Sequence, residues 1–330
     1  MENNLQNTLP TKIKQIFNNK ILIKLIICFL IFIVLIIINS VIKNNIYKTN
    51  SQSFLATTYA NITNMPAIKV NKEIIRYTDY FKFYDYLNTF YKKQTLDNQE
   101  ITTPNQESIK NEVVSKLVKN SVLQKLASKY DITVTDRELF DELKKLNIQT
   151  GSIDITEKYI KDNYNMSLDD FKKDFITPII IKNKLNLVIS NDNKINKTQI
   201  DKINNIYNQI KSSNNAVSVN KLGQKTDVFS TLAKESSEDK NSSENDGDLG
   251  WLSRDSMEES IKNAAFALEK GDYSQVIKSS SGYHIIKLID KIDTIDIPKV
   301  RIAHIFVKTM DVDTYLQQEI NNAKIKIYIK

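Results

Sequence analysis

Two histidines, His284 and His304, are the only ones in the chain, and each lies in a short strand-like run: Tyr283-His284-Ile285-Ile286-Lys287 and Val300-Arg301-Ile302-Ala303-His304-Ile305-Phe306-Val307. Imidazole donates, accepts and changes charge near neutral pH, so a pair of rings on one surface could move a proton or present a neutral polar contact to a substrate. The spacing permits such a pair. If the two runs form a hairpin about a turn centred near Thr294, His284 and His304 are equidistant from it, stand directly opposite one another and project from one face.

Other chemistry is sparse. In the acidic run from Asp239 to Asp248, Asp239-x-Asn241-x-Ser243 is followed by Glu244 where a calcium loop of the EF-hand type needs glycine, so the run reads as a solvated loop. The single cysteine, Cys28, sits inside an apolar segment, which excludes an intrachain disulfide and leaves almost no ligands for a transition metal. No metal and no cofactor is expected. The net charge of +7 is spread among alternating Lys, Asp and Glu, without the basic stripe and interleaved aromatics of a nucleic-acid binder, so no nucleic-acid partner is expected.

The elements around these residues can be read in outline. Residues 21–42 are almost wholly apolar and can cross a hydrocarbon layer of ~30 Å. Lys12, Lys14, Lys20 and Lys24 precede the apolar core and Lys43 and Lys48 follow it, so residues 1–20 are expected in the cytoplasm and the remainder outside. A cleaved signal peptide is the rival reading, but no small-x-small site follows Ile42. The polar stretch 43–65 reads as a spacer. A short strand follows at Pro66-Ala67-Ile68-Lys69-Val70, then helical stripes (Phe81, Phe83, Leu87, Phe90, Tyr91; Ile109, Val113, Leu117, Val118, Val122, Leu126) and a capping box at Thr135 and Glu138. The aromatic stripe fits either a core or a client-binding surface. Pro178 should kink or end the helix that Ser167 opens.

Two resemblances emerge. The segment Ala67 to Ile75, the helices after it and the step Ile132-Thr133-Val134-Thr135-Asp136 resemble the N-terminal region of SurA-type and PrsA-type chaperones. The blocks Phe229-Ser-Thr-Leu232-Ala233 through Ser237-Glu238-Asp239, Gly247-Asp248-Leu249-Gly250-Trp251-Leu252, Met257, Ala264-Ala265-Phe266-Ala267-Leu268, and Ser281-Gly282-Tyr283-His284-Ile285-Ile286-Lys287 closely resemble a parvulin-type peptidyl-prolyl isomerase. That resemblance implies an FKBP-like antiparallel sheet with helices. It also implies a polar group of His284, His304, Asp239 and Ser281, and a proline pocket at Leu249, Leu252, Met257 and Ile261, though these apolar residues equally suit an ordinary core. Ile261 stands where the family usually has Phe. The family's strand with a His before an apolar pair normally opens the domain; here its counterpart comes last, which points to a circular permutation completed by the His304 strand.

The expectation is therefore an α+β protein comprising a transmembrane helix, a mostly helical SurA-like domain (residues 66–192 with 311–330) and a parvulin-like domain (193–310). Strand 325–329 is expected to pair with 67–71. The resemblance implies a peptidyl-prolyl isomerase and chaperone acting on unfolded or nascent exported polypeptides that contain Xaa-Pro bonds. The alternative is a catalytically weak holdase or assembly scaffold.

Overall fold

The computed structural model describes residues 11–97, 102–150, 152–213, 217–219, 225–292, 294 and 298–330. Residues 1–10 of the expected cytoplasmic tail, and positions 293 and 295–297 of the expected turn, lie outside the described residues. Two compact units emerge, Met1–Ser121 with Lys161–Met166 and Ala323–Lys330, and Val122–Ile160 with Ser167–Asn322.

In the first unit, helix α1 (Thr11–Thr49) carries the apolar run, and within Leu22–Thr49 an 18-residue window reaches a mean hydropathy of 3.3, long and apolar enough to cross a membrane. It does not stop at Ile42. The segment 43–65, read from its polarity as a spacer, is largely helical: α1 continues to Thr49, and α2 (Phe54–Ile62) follows, capped by Ser53. Asn50 ends α1 in the left-handed region (φ 46°), with the Ser51 N–H reaching back to the Ile46 carbonyl at 3.3 Å, the closure expected of a Schellman turn. The physical reason lies in two side chains scattered among Asn and Lys. Ile46 is buried, and Tyr47 donates to the Pro66 carbonyl at 2.6 Å and stacks on Tyr328.

Strands β1 (Pro66–Val70) and β2 (Glu73–Arg76) form a hairpin through Asn71, another left-handed residue. The C-terminal strand Ile325–Ile327 adds antiparallel to β1 with Ile68 opposite Ile327 and Val70 opposite Ile325, the pairing expected from the sequence, so the chain's last residues complete its first sheet. Helix α3 (Tyr77–Asp97) buries Tyr77, Tyr80, Phe81, Phe83, Tyr86 and Leu87, which assigns most of the aromatic stripe to core. Helix α4 (Gln106–Lys129), which passes from the first unit to the second at Val122, buries Ile109, Val113, Val118, Val122 and Leu126.

The second unit opens on the end of α4, from Val122, and continues with helices α5 (Asp136–Thr150), α6 (Ile153–Tyr164), whose residues from Lys161 belong to the first unit, and α7 (Leu168–Phe171). The capping box forms as expected: Glu138 accepts from the Thr135 N–H at 2.9 Å, and the Thr135 hydroxyl accepts from the Glu138 N–H at 3.3 Å. A π turn at Lys172–Ile176 then leads into α8 (Thr177–Asn191), placing Pro178 in the first turn, where its missing N–H is tolerated. Helices α9 (Lys197–Ser212), α10 (Val228–Ser236) and the short α11 (Lys240–Ser243) surround the sheet, with a small hairpin of β3 (Val217–Val219) and β4 (Lys225–Asp227) between α9 and α10. The sheet consists of β5 (Asp248–Ser253), β6 (Ile277–Lys278), β7 (Gly282–Ile292) and β8 (Lys299–Lys308), antiparallel in the order β5-β8-β7-β6, and α12 (Glu259–Ala267) lies between β5 and β6 in the chain. The last strand of this sheet in sequence thus occupies its centre. Helix α13 (Val312–Asn321) stays with this unit and not with the first: its Val312 N–H bonds the Asn186 side chain at 3.2 Å, and Lys182 pairs with Asp313 at 2.7 Å.

Alternation along β7 and β8 sorts side chains onto two faces. Tyr283, Ile285, Ala303, Ile305 and Val307 pack with Ile203, Ile206 and Ile210 of α9 and Phe229, Leu232 and Ala233 of α10. Ile286, Leu288, Val300 and Ile302 pack on the other side with Ala265 of α12.

Candidate active site

The expected register is corrected by the structure. His284 stands opposite Phe306, and His304 opposite Ile286, so the histidines are diagonal and not direct partners. Next to the turn the pairing is already three residues from the expected alignment, and a β-bulge then takes back one of them. Near the turn Ile292 pairs with Lys299 and Asp290 with Arg301, but from Leu288 opposite Ile302 onward the register has slipped by one, with Ile289 the extra residue on β7. Continued without that bulge, the pairing would have set His304 opposite Lys287 and sent the two rings to opposite faces. The bulge brings both histidines to the face that carries Ile286 and Leu288.

There they join a chain of hydrogen bonds. Asp239 Oδ2 lies 2.8 Å from His304 Nε2, His304 Nδ1 lies 3.3 Å from His284 Nδ1, and His284 Nε2 lies 2.8 Å from Ser279 Oγ. With both rings neutral and Asp239 ionised, the donors can be ordered in one way: His304 Nε2–H donates to the carboxylate, His284 Nδ1–H to His304, and the Ser279 hydroxyl to His284. The carboxylate is further held by the Ser242 hydroxyl at 2.6 Å and the Asn241 N–H at 3.2 Å. Ser281, expected to supply the hydroxyl, is one step removed: its Oγ lies 3.1 Å from Ser279 Oγ. Ser279 takes the position because the turn ahead of Gly282 folds back, letting its hydroxyl also accept from the Ser281 and Gly282 N–H groups, both at 3.2 Å.

Backbone contacts fix each member. The loop before Asp239 is stitched to β8 by Phe306 N–H to Ser237 Oγ (3.1 Å), Glu238 N–H to the Phe306 carbonyl (2.8 Å) and Lys308 N–H to Glu238 (2.8 Å). The His304 N–H donates to the Gly247 carbonyl at 2.8 Å, and a Cβ on Gly247 would sit 2.4 Å from the His304 carbonyl oxygen, so this approach requires glycine. Phe306 packs against both imidazoles, its ring centroid 4.8 Å from that of His284 and 6.1 Å from that of His304.

Burial sets the protonation. It pushes His284 down to about 4, with the neighbouring His304 adding to the shift, while Glu258 and Asp239 pull the other way. Burial also lowers His304, against the opposing pull of Asp239. Asp239 lies below the usual carboxylate range: burial alone would raise it, but the bonds from Ser242, His304 and the Asn241 N–H prevail. Both rings are therefore neutral at pH 7. Since the unfolded chain takes up protons near pH 6.5 and folded His284 resists them until about 4, this contribution is full above pH 6.5 and is lost as pH falls through that window. The shift corresponds to about 3 kcal/mol at most. We expect the urea midpoint of the second unit, followed by Trp251 fluorescence, to be flat from pH 7 to 8 and to drop steeply between 6.5 and 4, with a shallower drop in His284→Gln.

The four expected pocket residues come together. Leu249 and Leu252 of β5, Met257, and Ile261 of α12 are partly buried and pack on the face that bears the histidines, joined by Phe266, Leu268 and Ile277. Ile277 connects this apolar wall to the polar chain, because it pairs across the strands with His284. The sequence does not single out Ser279, Ser242 or Phe306; Phe306 stands two residues beyond His304 on the same strand, and that even spacing is the available signal.

Comparison with known proteins identifies similar domains. Residues 179–290 match the model of the PPIC-type PPIASE domain, and residues 13–166 that of the SurA-like N-terminal domain. The foldase protein PrsA of Staphylococcus epidermidis is 31% identical over 176 residues, 49% of this chain and 54% of that protein; PrsA of Staphylococcus aureus (strain Newman) is 28% identical over 176 residues, 49% of this chain and 55% of that protein. The chain thus spans about half the length of the curated relatives it matches. Among solved structures, the peptidylprolyl isomerase PrsA of Bacillus cereus aligns over 78% of this chain and 84% of its own at 23% identity with a TM-score of 0.24, and that of Bacillus anthracis over 63% and 86% at 18% identity with a TM-score of 0.20.

Proposed function

We propose that this chain, which joins a SurA-like N-terminal domain to an isomerase domain of the parvulin (PPIC) type and is homologous to the PrsA foldases, is a membrane-anchored peptidyl-prolyl cis–trans isomerase and chaperone for exported polypeptides. The observation that carries this reading is the neutral Ser279–His284–His304–Asp239 chain on the same sheet face as the apolar wall of Leu249, Leu252, Met257, Ile261 and Phe266.

Rotation about Xaa-Pro crosses a barrier of ~18–20 kcal/mol because resonance holds the amide planar. Resonance also loads charge on the carbonyl oxygen, and twisting the bond removes it. A site that takes the carbonyl out of water therefore penalises the planar form more than the twisted one, and that difference lowers the barrier without a covalent step. In this reading the proline ring rests on the apolar wall. Burial keeps the two imidazoles neutral, and Asp239 and Ser279 hold them fixed beside the rotating bond. The strand β8 is the permuted counterpart of the family's opening strand, a reading supported by the family match ending at residue 290, ahead of His304.

The lysines before the apolar run support a cytoplasmic N-terminus, with the chain beyond that run outside, where newly exported chains emerge. A protease-coupled assay of the full chain in detergent tests the activity: acceleration of a proline peptide above the spontaneous rate is the expected result. A second reading, a holdase of low turnover, is favoured by Ile261, which leaves the wall with less aromatic surface than Phe would supply. Suppression of client aggregation without any acceleration would select it. Restoring the ring in Ile261→Phe is expected to raise kcat/KM of the isomerase about two- to fivefold, as a better-filled pocket does.

A further inference from the structure

Helix α2 is amphipathic in the inverse sense for a soluble surface. Its small residues Ala56 and Ala60 are buried, whereas Phe54, Leu55 and Ile62 are 82%, 78% and 79% exposed. Such exposure of three large apolar side chains on one short helix calls for a partner.

The position of α2 indicates which. The Tyr59 hydroxyl bonds both the carboxamide oxygen and, at 3.2 Å, the main-chain carbonyl of Asn39, the first polar residue after the unbroken apolar run that ends at Ile38. At 1.5 Å per residue Asn39 lies ~15 Å back along α1 from Thr49, so α2 sits beside α1 and not beyond its end. That return is fixed by the turn at Asn50, whose side chain bonds the Lys330 carbonyl at 2.6 Å, and by Tyr77, which donates to the Ser51 carbonyl at 3.1 Å. An apolar span from Leu22 to Ile42 is ~31 Å long, which matches a hydrocarbon layer of ~30 Å and puts Asn39 just inside its edge. A carboxamide there needs a partner, and tyrosine, apolar in body and polar at its tip, is the side chain suited to that depth.

We propose that α2 lies in the boundary between headgroups and acyl chains of the bilayer that α1 enters, with Phe54, Leu55 and Ile62 in contact with lipid, so that the first unit is mounted on the membrane and not tethered above it. The proposal rests on the membrane-anchor reading of α1. Lipid is the occupant because the Tyr59–Asn39 bond holds α2 against the end of the apolar run of α1, where Val41 is itself 62% exposed, and Lys43 and Lys48 follow that run in the chain as counter-charges for anionic headgroups.

The test uses the full chain with Cys28→Ser and single cysteines at Phe54→Cys, Ile62→Cys or, as a reference in the exposed β1–β2 turn, Lys72→Cys. Each carries an environment-sensitive fluorophore and is reconstituted into phosphatidylcholine–phosphatidylglycerol vesicles. The expected result is that labels at 54 and 62 are quenched by nitroxide-bearing lipid and are at least about threefold less quenched by aqueous iodide than the label at 72. Iodide quenching at 62 equal to that at 72, in chains that still float with the vesicles, overturns the proposal and leaves the anchor standing. Failure to float removes both. Protection at 62 that rises with the protein-to-lipid ratio would show a second copy on this face and would equally overturn the assignment to lipid.

Discussion

Asp239→Ala is expected to lower Xaa-Pro isomerase activity roughly tenfold to a hundredfold, the equivalent of about 1–3 kcal/mol for a buried donor deprived of its acceptor. The carboxylate is the only ionised member of the polar chain and fixes its direction: without it, His304 Nε2–H loses its acceptor at 2.8 Å, His304 can turn or change tautomer, and the bond to His284 Nδ1 is no longer specified. Asp239→Asn retains an acceptor oxygen and is expected to stay within a few-fold of the parent. Asp239 also caps α11 through the Asn241 N–H, and Asn keeps that cap, so the alanine variant alone loses about 1 kcal/mol of stability from it. A cap-only role would show as a lowered urea midpoint with kcat/KM of the folded alanine variant unchanged, whereas the proposed role lowers kcat/KM under conditions where that variant is fully folded. The check is kcat/KM for the two variants beside their urea midpoints.

Gly247→Ala should have the largest effect on stability, with a loss of about 2–4 kcal/mol. Two penalties combine there. The backbone is left-handed at φ +81°, and the added methyl would meet the His304 carbonyl oxygen at 2.4 Å, a main-chain atom that cannot swing aside. Relief requires β8 or the 242–247 turn to move, which displaces His304 from Asp239. Gly250 is the internal control: its φ of +73° is similar but nothing lies within 4 Å of its Cβ position, so Gly250→Ala is expected to cost only about 1 kcal/mol and to leave the histidine chain in place. Chemical unfolding of both variants measures the difference.

What could be read from the residues divides along physical lines. The C-terminal strand's pairing with β1 was legible because both segments alternate apolar and polar side chains, and strand periodicity survives in short sequences. Pairing of the two histidine strands was legible for the same reason. Their register was not. A one-residue bulge at Ile289 carries no strong local signature, and a connection of undetermined turn type leaves the centre of a hairpin free to shift by a residue or two. The histidines remained on one face because the net slip from the expected alignment was two residues, an even number.

In the site, Asp239 lies beside His304 as the resemblance implies, whereas the hydroxyl on His284 is that of Ser279 and not Ser281, within Ser279-Ser280-Ser281, a run in which neighbouring hydroxyls differ only by backbone direction. Three consecutive serines give periodicity nothing to distinguish. The helical continuation of α1 and the presence of α2 escaped for another reason: a segment rich in Asn, Ser and Thr has low helix propensity, and tertiary contacts of Ile46, Tyr47 and Tyr59 decide its structure.

The central claim is that an Xaa-Pro bond turns against the face shared by His284, His304 and the apolar wall. The most direct measurement is two-dimensional exchange NMR of a proline-containing peptide, comparing its cis–trans exchange rate with catalytic amounts of the full chain and of His284→Ala. The account predicts exchange well above the spontaneous rate with the parent chain and a return toward that rate with the variant. Equal acceleration by both proteins, or none by the parent, would contradict it.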